Sequence, residues 1–148
     1  MPLDDIDQKI LKACLKDARL SSREIAKIVG VSVGTVLART RKMETEGVIK
    51  GYSAVLDYSK LRYEFTVITE ITVSKGKLLE IEKMISQVPE VCAVYDVTGA
   101  VDAIVIAKFK TREELSRFTK SLLKMPYVER TNTHLALSIS KEDLRVPL

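Results

Sequence analysis

Ser21-Ser22-Arg23-Glu24-Ile25-Ala26-Lys27-Ile28-Val29-Gly30-Val31-Ser32-Val33-Gly34-Thr35-Val36 decides how the first third of this chain is read. Ser21 and Glu24 stand at capping-box spacing: the hydroxyl accepts from the N–H of Glu24 while the carboxylate reaches back to the N–H of Ser21. A helix starting there buries Ile25, Ala26, Ile28 and Val29 and stops at Gly30, which takes the left-handed conformation without steric cost. Ser32 then caps another helix only about three residues later, so Gly30-Val31-Ser32 is a helix-turn-helix connection.

Before this stretch, Ile6, Ile10, Leu11, Cys14 and Leu15 recur at steps of 3 and 4 behind Asp4 and Asp5. They predict a first amphipathic helix of about 14 residues ending near Ala18. After it, the third helix runs to about Glu46 and is ended by Gly47. Val36, Thr40 and Met43 fall on its inner side; Gly34, Ala38, Arg41 and Thr45 fall opposite.

Charge sharpens the picture. The net charge of +4 is small for 148 residues, but residues 18–50 hold seven cations against three anions, so the whole excess lies there. A helix entering the major groove needs small side chains where its first turns meet base edges and cations where its flanks pass phosphates. Gly34 and Ala38 are therefore expected to permit the approach and Ser32, Val33, Thr35 and Ala38 to read bases, with Arg39, Arg41 and Lys42 on the backbone. Gly34 inside a helix costs roughly 0.5–1 kcal/mol relative to Ala, which a purely structural helix has little reason to accept.

From Val48 to Asp57 a strand is expected, followed by a polar stretch to Glu64. Phe65, Val67, Thr69, Ile71 and Val73 then alternate with Thr66, Ile68, Glu70 and Thr72 at strand spacing. Leu78, Ile81, Ile85, Val88, Pro89 and Val91 return 37 positions later as Leu115, Phe118, Leu122, Met125, Pro126 and Val128. That is an internal duplication of strand, helix, Pro, strand: 65–73, 77–88 and 91–98, then 102–110, 111–124 and 128–139. Joined by the turn Gly99–Val101, two such units make a ferredoxin-like βαββαβ sandwich with its helices on one sheet face. The expected fold is α+β: a three-helix (winged) helix-turn-helix domain over 1–50, a strand and linker over 51–64, and the sandwich over 65–148. Strand 103–107 is aliphatic on both sides, so the open sheet face predicts self-association, at least as a dimer.

The chain is 46% hydrophobic and 30% charged, the balance of a globular protein. Its longest aliphatic run, Ala103–Ala107, is far below the roughly 20 residues that span a bilayer, and charges crowd the first 17 positions; a cytoplasmic protein without a membrane anchor is expected. Cys14 and Cys92 have no partner at disulfide-framework or zinc spacing, so no metal or cofactor is predicted. His134, the only histidine, lies near no nucleophile motif, which argues against an enzyme. One aromatic in strand 102–110 is too few for the base-stacking sheet of an RNA-binding module.

A helix-turn-helix followed by a strand and a βαββαβ module resembles the Lrp/AsnC family of transcriptional regulators, also called feast/famine proteins. The resemblance rests on Leu3-Asp4-Asp5-Ile6-Asp7, Glu24-Ile25-Ala26, Val31-Ser32 with Thr35-Val36 and Arg39, Glu46-Gly47-Val48-Ile49-Lys50-Gly51-Tyr52, Thr98-Gly99 with Asp102, and Val128–Thr133. It implies dimers that assemble into octamers or related rings, bind pseudo-palindromic double-stranded promoter DNA as nucleoid-associated proteins, and in many members bind an amino acid. It implies DNA-facing roles for Ser32, Thr35 and Arg39. An effector site is implied by Thr98, Gly99, Ala100, Val101 and Asp102 with Thr131 and Thr133. Asp102 would pair with the effector's ammonium, or else bond its own hairpin backbone. Family members often carry an acidic or amide residue and then an aromatic where this chain has Ala100 and Val101. A neutral, aliphatic effector is therefore expected, since a cationic one would be buried unpaired. The alternatives are a regulator of this family without an effector, and a ligand-sensing interaction module that does not bind DNA.

Overall fold

A computed structural model describes residues 2–148, which separate into two compact units: residues 2–55 with 142–148, and residues 56–141. Assignment of the last seven residues to the first unit differs from the continuous 65–148 domain expected from the sequence.

The first unit holds α1 (Asp5–Lys16), α2 (Ser22–Val29) and α3 (Val33–Thr45). Each start is capped. Asp4 accepts from the N–H groups of Ile6 and Asp7, Ser21 from Glu24 and Ser32 from Thr35. The Asp7 and Glu24 carboxylates return the bond in reciprocal boxes. Gly30 ends α2 at φ 80°, the left-handed geometry that makes the turn abrupt. Ile10, Leu11, Ala13, Ile25, Ala26, Val36 and Met43 form the core. Val36 and Met43, the inner stripe of α3, are wholly buried, each worth about 1.5–3 kcal/mol over an exposed position.

The strand expected over 48–57 pairs with no strand of this chain. A single copy offers its backbone no ladder partner, and Tyr52, Val55 and Leu56 stand exposed along it.

The second unit is β1 (Phe65–Val73), α4 (Leu78–Ile85), β2 (Val91–Asp96), β3 (Ala103–Phe109), α5 (Arg112–Lys124) and β4 (Val128–Leu135). The sheet is antiparallel with order β2-β3-β1-β4, the duplicated sandwich expected from the sequence, although β4 stops four residues short of Ile139. Thr111 and Glu114 form the capping box of α5. Val67, Ile71, Val105, Ala107 and Phe109 meet Ile81, Ile85, Phe118 and Leu122 in one core under the helices. The sheet face away from α4 and α5 carries Ile68, Ile104, Ile106 and Tyr95, register neighbours on three strands.

Candidate nucleic-acid interface and effector loop

The exposed face of α3 is built from Val33, Gly34, Leu37, Ala38, Arg41 and Lys42, set by a buried stripe of Val36 and Met43 opposite. Its first turn carries nothing longer than Val or Thr, and a Cβ built on Gly34 meets only the Ser32 hydroxyl, at 3.8 Å. The surface is thus low where the helix starts and cationic one to two turns later. Leu37, 43% exposed, belongs to this face and was missed in the sequence reading; an apolar contact there suits a thymine methyl.

Three of the predicted DNA residues are engaged within the fold. The Ser32 hydroxyl accepts from the Thr35 N–H at 3.1 Å and lies 2.9 Å from the Thr35 hydroxyl, so both serve the start of α3 as well as any base. Arg39 is turned inward: its Nη1 donates to the Asp4 carboxylate and to both oxygens of Asp7 at 3.3 Å. Asp7 is 1% exposed, so the guanidinium neutralises a buried carboxylate. Through Nη1, Arg39 joins α3 to the start of α1, a structural duty that stands beside the phosphate contact expected of it. The hydrogen bond that Arg39 donates to Asp4 raises the Arg39 pKa, and the one Asp4 accepts from the Asp7 backbone N–H holds the Asp4 carboxyl below the usual range. The Leu3-Asp4-Asp5-Ile6-Asp7 run carried this signal, because two carboxylates at N-cap and N3 leave one free oxygen each for a cation. Arg41 and Lys42 remain exposed and make no salt bridge with a described residue.

In the sandwich, the loop after β2 places its residues in two environments. Ala100 and Val101 line a recess of about 270 Å³ with Glu70, Thr72, Arg130 and Asn132, on the open sheet face. Thr98 and Gly99 are exposed at the tip, Gly99 at φ 126°. Thr131 and Thr133, half-buried, pair with Ile71 and Thr69 in the β1–β4 register and share the helix-covered face with them. Thr133 exchanges a hydrogen bond with the buried Thr69 at 3.0 Å. Strand alternation therefore turns both threonines away from the recess.

Asp102 is not an own-turn cap. Its N–H donates to the Ile71 carbonyl, its carbonyl accepts from Val97, and its carboxylate accepts from the Val73 N–H at 2.8 Å. The β1–β3 ladder ends at Ile71–Ala103, so Asp102 satisfies the next backbone groups of β1 after pairing has stopped. One carboxylate oxygen of Asp102 thus serves the backbone of β1, and the other makes no hydrogen bond with a described residue.

The charged groups that do meet the recess are Glu70 and Arg130. The Glu70 carboxylate accepts from the Asn132 amide at 2.9 Å and lies 3.5 Å from the His134 ring. These bonds, Asn132 first, hold its carboxyl below the usual range. Among the described residues no cluster of His, Cys, Asp or Glu is arranged to hold a metal, and no helix is long and apolar enough to cross a membrane.

A capped helix-turn-helix whose last helix is low and cationic outward, followed by a duplicated sandwich with a loop recess, defines a DNA-binding transcriptional regulator. Comparison with known proteins agrees along the whole length. A family model described as the Lrp/AsnC ligand binding domain matches residues 66–146, and one described as a winged helix-turn-helix DNA-binding domain matches 3–50. An HTH-type transcriptional regulator of Pyrococcus furiosus is 51% identical over 99% of each chain. The HTH-type transcriptional regulator FL11 of Pyrococcus horikoshii is 36% identical, covering 100% of this chain and 98% of its own. Among solved structures, the transcriptional regulator NMB0573 of Neisseria meningitidis in complex with L-Met superposes with a TM-score of 0.86 at 25% identity, over 99% of this chain and 97% of that one. LrpC of Bacillus subtilis gives 0.81 at 30% identity, over 98% and 100%. The chain belongs to the Lrp/AsnC family of transcriptional regulators.

Proposed function

We propose that this regulator reads DNA with the first two turns of α3, as a dimer, and that an uncharged amino acid tunes that binding from the recess beside Ala100. The observation that carries the DNA reading is the low outer face of α3: Val33, Gly34 and Ala38 approach base edges, and Arg41 and Lys42 flank them toward phosphates. Thr35, at the margin of the face, keeps a hydroxyl within reach of a base. Two such helices set about one helical turn apart, roughly 34 Å, would engage a pseudo-palindrome.

The open sheet face supports the dimer. Ile68, Ile104, Ile106 and Tyr95 form a patch that a second copy buries, and larger rings can grow from such pairs. Working on DNA, the protein belongs in the cytoplasm with the chromosome, as a regulator and not an enzyme; His134 serves the Glu70 and Asn132 network.

In the recess, Arg130 suits an α-carboxylate and Glu70 an α-ammonium, while Ala100 and Val101 leave space and apolar surface for a short aliphatic side chain. The L-Met complex of the meningococcal relative supports an uncharged amino acid as the class of effector. A thermal-shift screen of the twenty amino acids, repeated with DNA, tests it. Stabilisation by a small aliphatic amino acid, abolished in Arg130→Ala, is expected. Stabilisation by lysine or arginine, or by none of the twenty, overturns the effector reading and leaves the DNA reading intact.

A further inference from the structure

The two halves of the sandwich share a fold but differ in charge. On α5, Arg117, Lys120 and Lys124 lie along the side opposite the buried Phe118 and Leu122, together with Glu113, while Arg112 stands at the helix start off that side; all are exposed. The positions 37 earlier, equivalent by the duplication to Glu113, Arg117, Lys120 and Lys124, are Gly76, Glu80, Lys83 and Gln87, so a net of two positive charges stands where the first half has none. Glu80 is further neutralised by Lys77 at 3.2 Å. None of the four α5 cations makes a salt bridge with a described residue. Arg112, Ser116, Arg117 and Lys120 line a shallow depression of about 400 Å³ in which Glu113 is the one carboxylate. The fold does not require this stripe, because the shorter α4 buries Ile81 and Ile85 in the same core without it.

Arg117, Lys120 and Lys124 follow one another at steps of 3 and 4, a stripe about 10 Å long at 1.5 Å per residue. Double-stranded DNA offers one negative charge per roughly 1.7 Å of axis, so several phosphates fall within that reach. The Ser116 hydroxyl adds a donor of the kind that bonds phosphate oxygens.

We propose that the outer face of α5 is a second DNA-backbone surface, which holds the duplex flanking the site read by α3. This rests on the DNA reading of α3 and extends it: α3 supplies sequence choice, and α5 supplies contacts that need only phosphates and therefore long DNA.

The test measures binding of the full chain to mixed-sequence duplexes of about 15 and about 60 bp by fluorescence anisotropy across a salt series. In Arg117→Gln/Lys120→Gln/Lys124→Gln, the slope of log Kd against log salt on the long duplex should fall by about 0.9 for each lost phosphate contact, up to about 2.7 in all. The slope on the short duplex should be unchanged. Arg117→Lys and Lys83→Gln should leave both slopes as they are, and the single Lys120→Gln variant should show about one third of the loss if the triple variant does not fold. An unaltered slope on the long duplex overturns the proposal, as does an equal loss on both duplexes. A changed mass by light scattering with no change in slope overturns it in favour of a contact between copies. Arg41→Ala should lower the slope on both duplexes; if it lowers neither while the α5 variant acts, the α3 reading fails and the α5 surface stands.

Discussion

Gly34→Ala separates what the glycine costs the fold from what it gives to binding. Gly34 is the second residue of α3, with exposed surroundings and no left-handed backbone, so alanine fits its conformation. The added Cβ meets only the Ser32 Oγ at 3.8 Å, an ordinary contact. Nothing must move, and the helix should gain about 0.5 kcal/mol, the low end of the glycine-to-alanine range because the site lies in the first turn. For a unit of this size that raises the melting temperature by about 2–4 °C, readable by circular dichroism or calorimetry. On DNA the sign should reverse. The methyl sits on the surface meant to lie closest to base edges, and displacing the helix there forfeits about one base contact, roughly 1–3 kcal/mol, or a several-fold to hundredfold loss of specific affinity. Non-specific affinity should change little, since Arg41 and Lys42 are untouched. A variant that is more stable and binds its selected site as tightly as the wild type refutes the reasoning, because the glycine would then serve no approach to DNA.

Further expectations concern the neighbouring charges and faces. Arg41→Ala or Lys42→Ala should weaken binding to all sequences and lower the salt slope by about one unit, measured by anisotropy. Arg39→Ala should instead lower the melting temperature, because it leaves Asp7 buried without its cation. Asp4 and Glu24 both have folded pKa values lowered from ordinary values of 3.8 and 4.5 by the cap bonds they accept. Their contribution is therefore present above those values and lost as pH falls through the lower folded ones, so thermal melts of the helix-turn-helix unit should show stability declining below about pH 4.5. Ile104→Glu should give a smaller species by light scattering if the open sheet face joins two copies.

Much of this fold was legible because local signals agreed with one another. Ser21-Ser22-Arg23-Glu24 and Gly30 placed the turn of the helix-turn-helix to the residue, and the repeat at 37 positions placed both halves of the sandwich. Element ends were less legible: β4 stops at Leu135, opposite Val67 near the start of β1, which only pairing reveals. The run 48–57 looks like a strand by composition, yet needs a partner that one copy does not supply. At the site, periodicity separated Val36 and Met43 from Gly34 and Ala38, but could not say that Arg39 folds back onto Asp7, 32 residues away. Nor could loop residues alone show that Thr131 and Thr133 face the helices while Glu70 and Arg130 face the recess; that follows from register across three strands.

The most direct measurement is a hydroxyl-radical footprint of the full chain on a duplex selected from a random pool. Paired protected tracts on one side of the DNA, spaced by about 10 bp or a multiple of it, with altered base preference in Thr35→Ala, are predicted. Protection without that periodicity, or a preference indifferent to every substitution on the outer face of α3, would contradict the account.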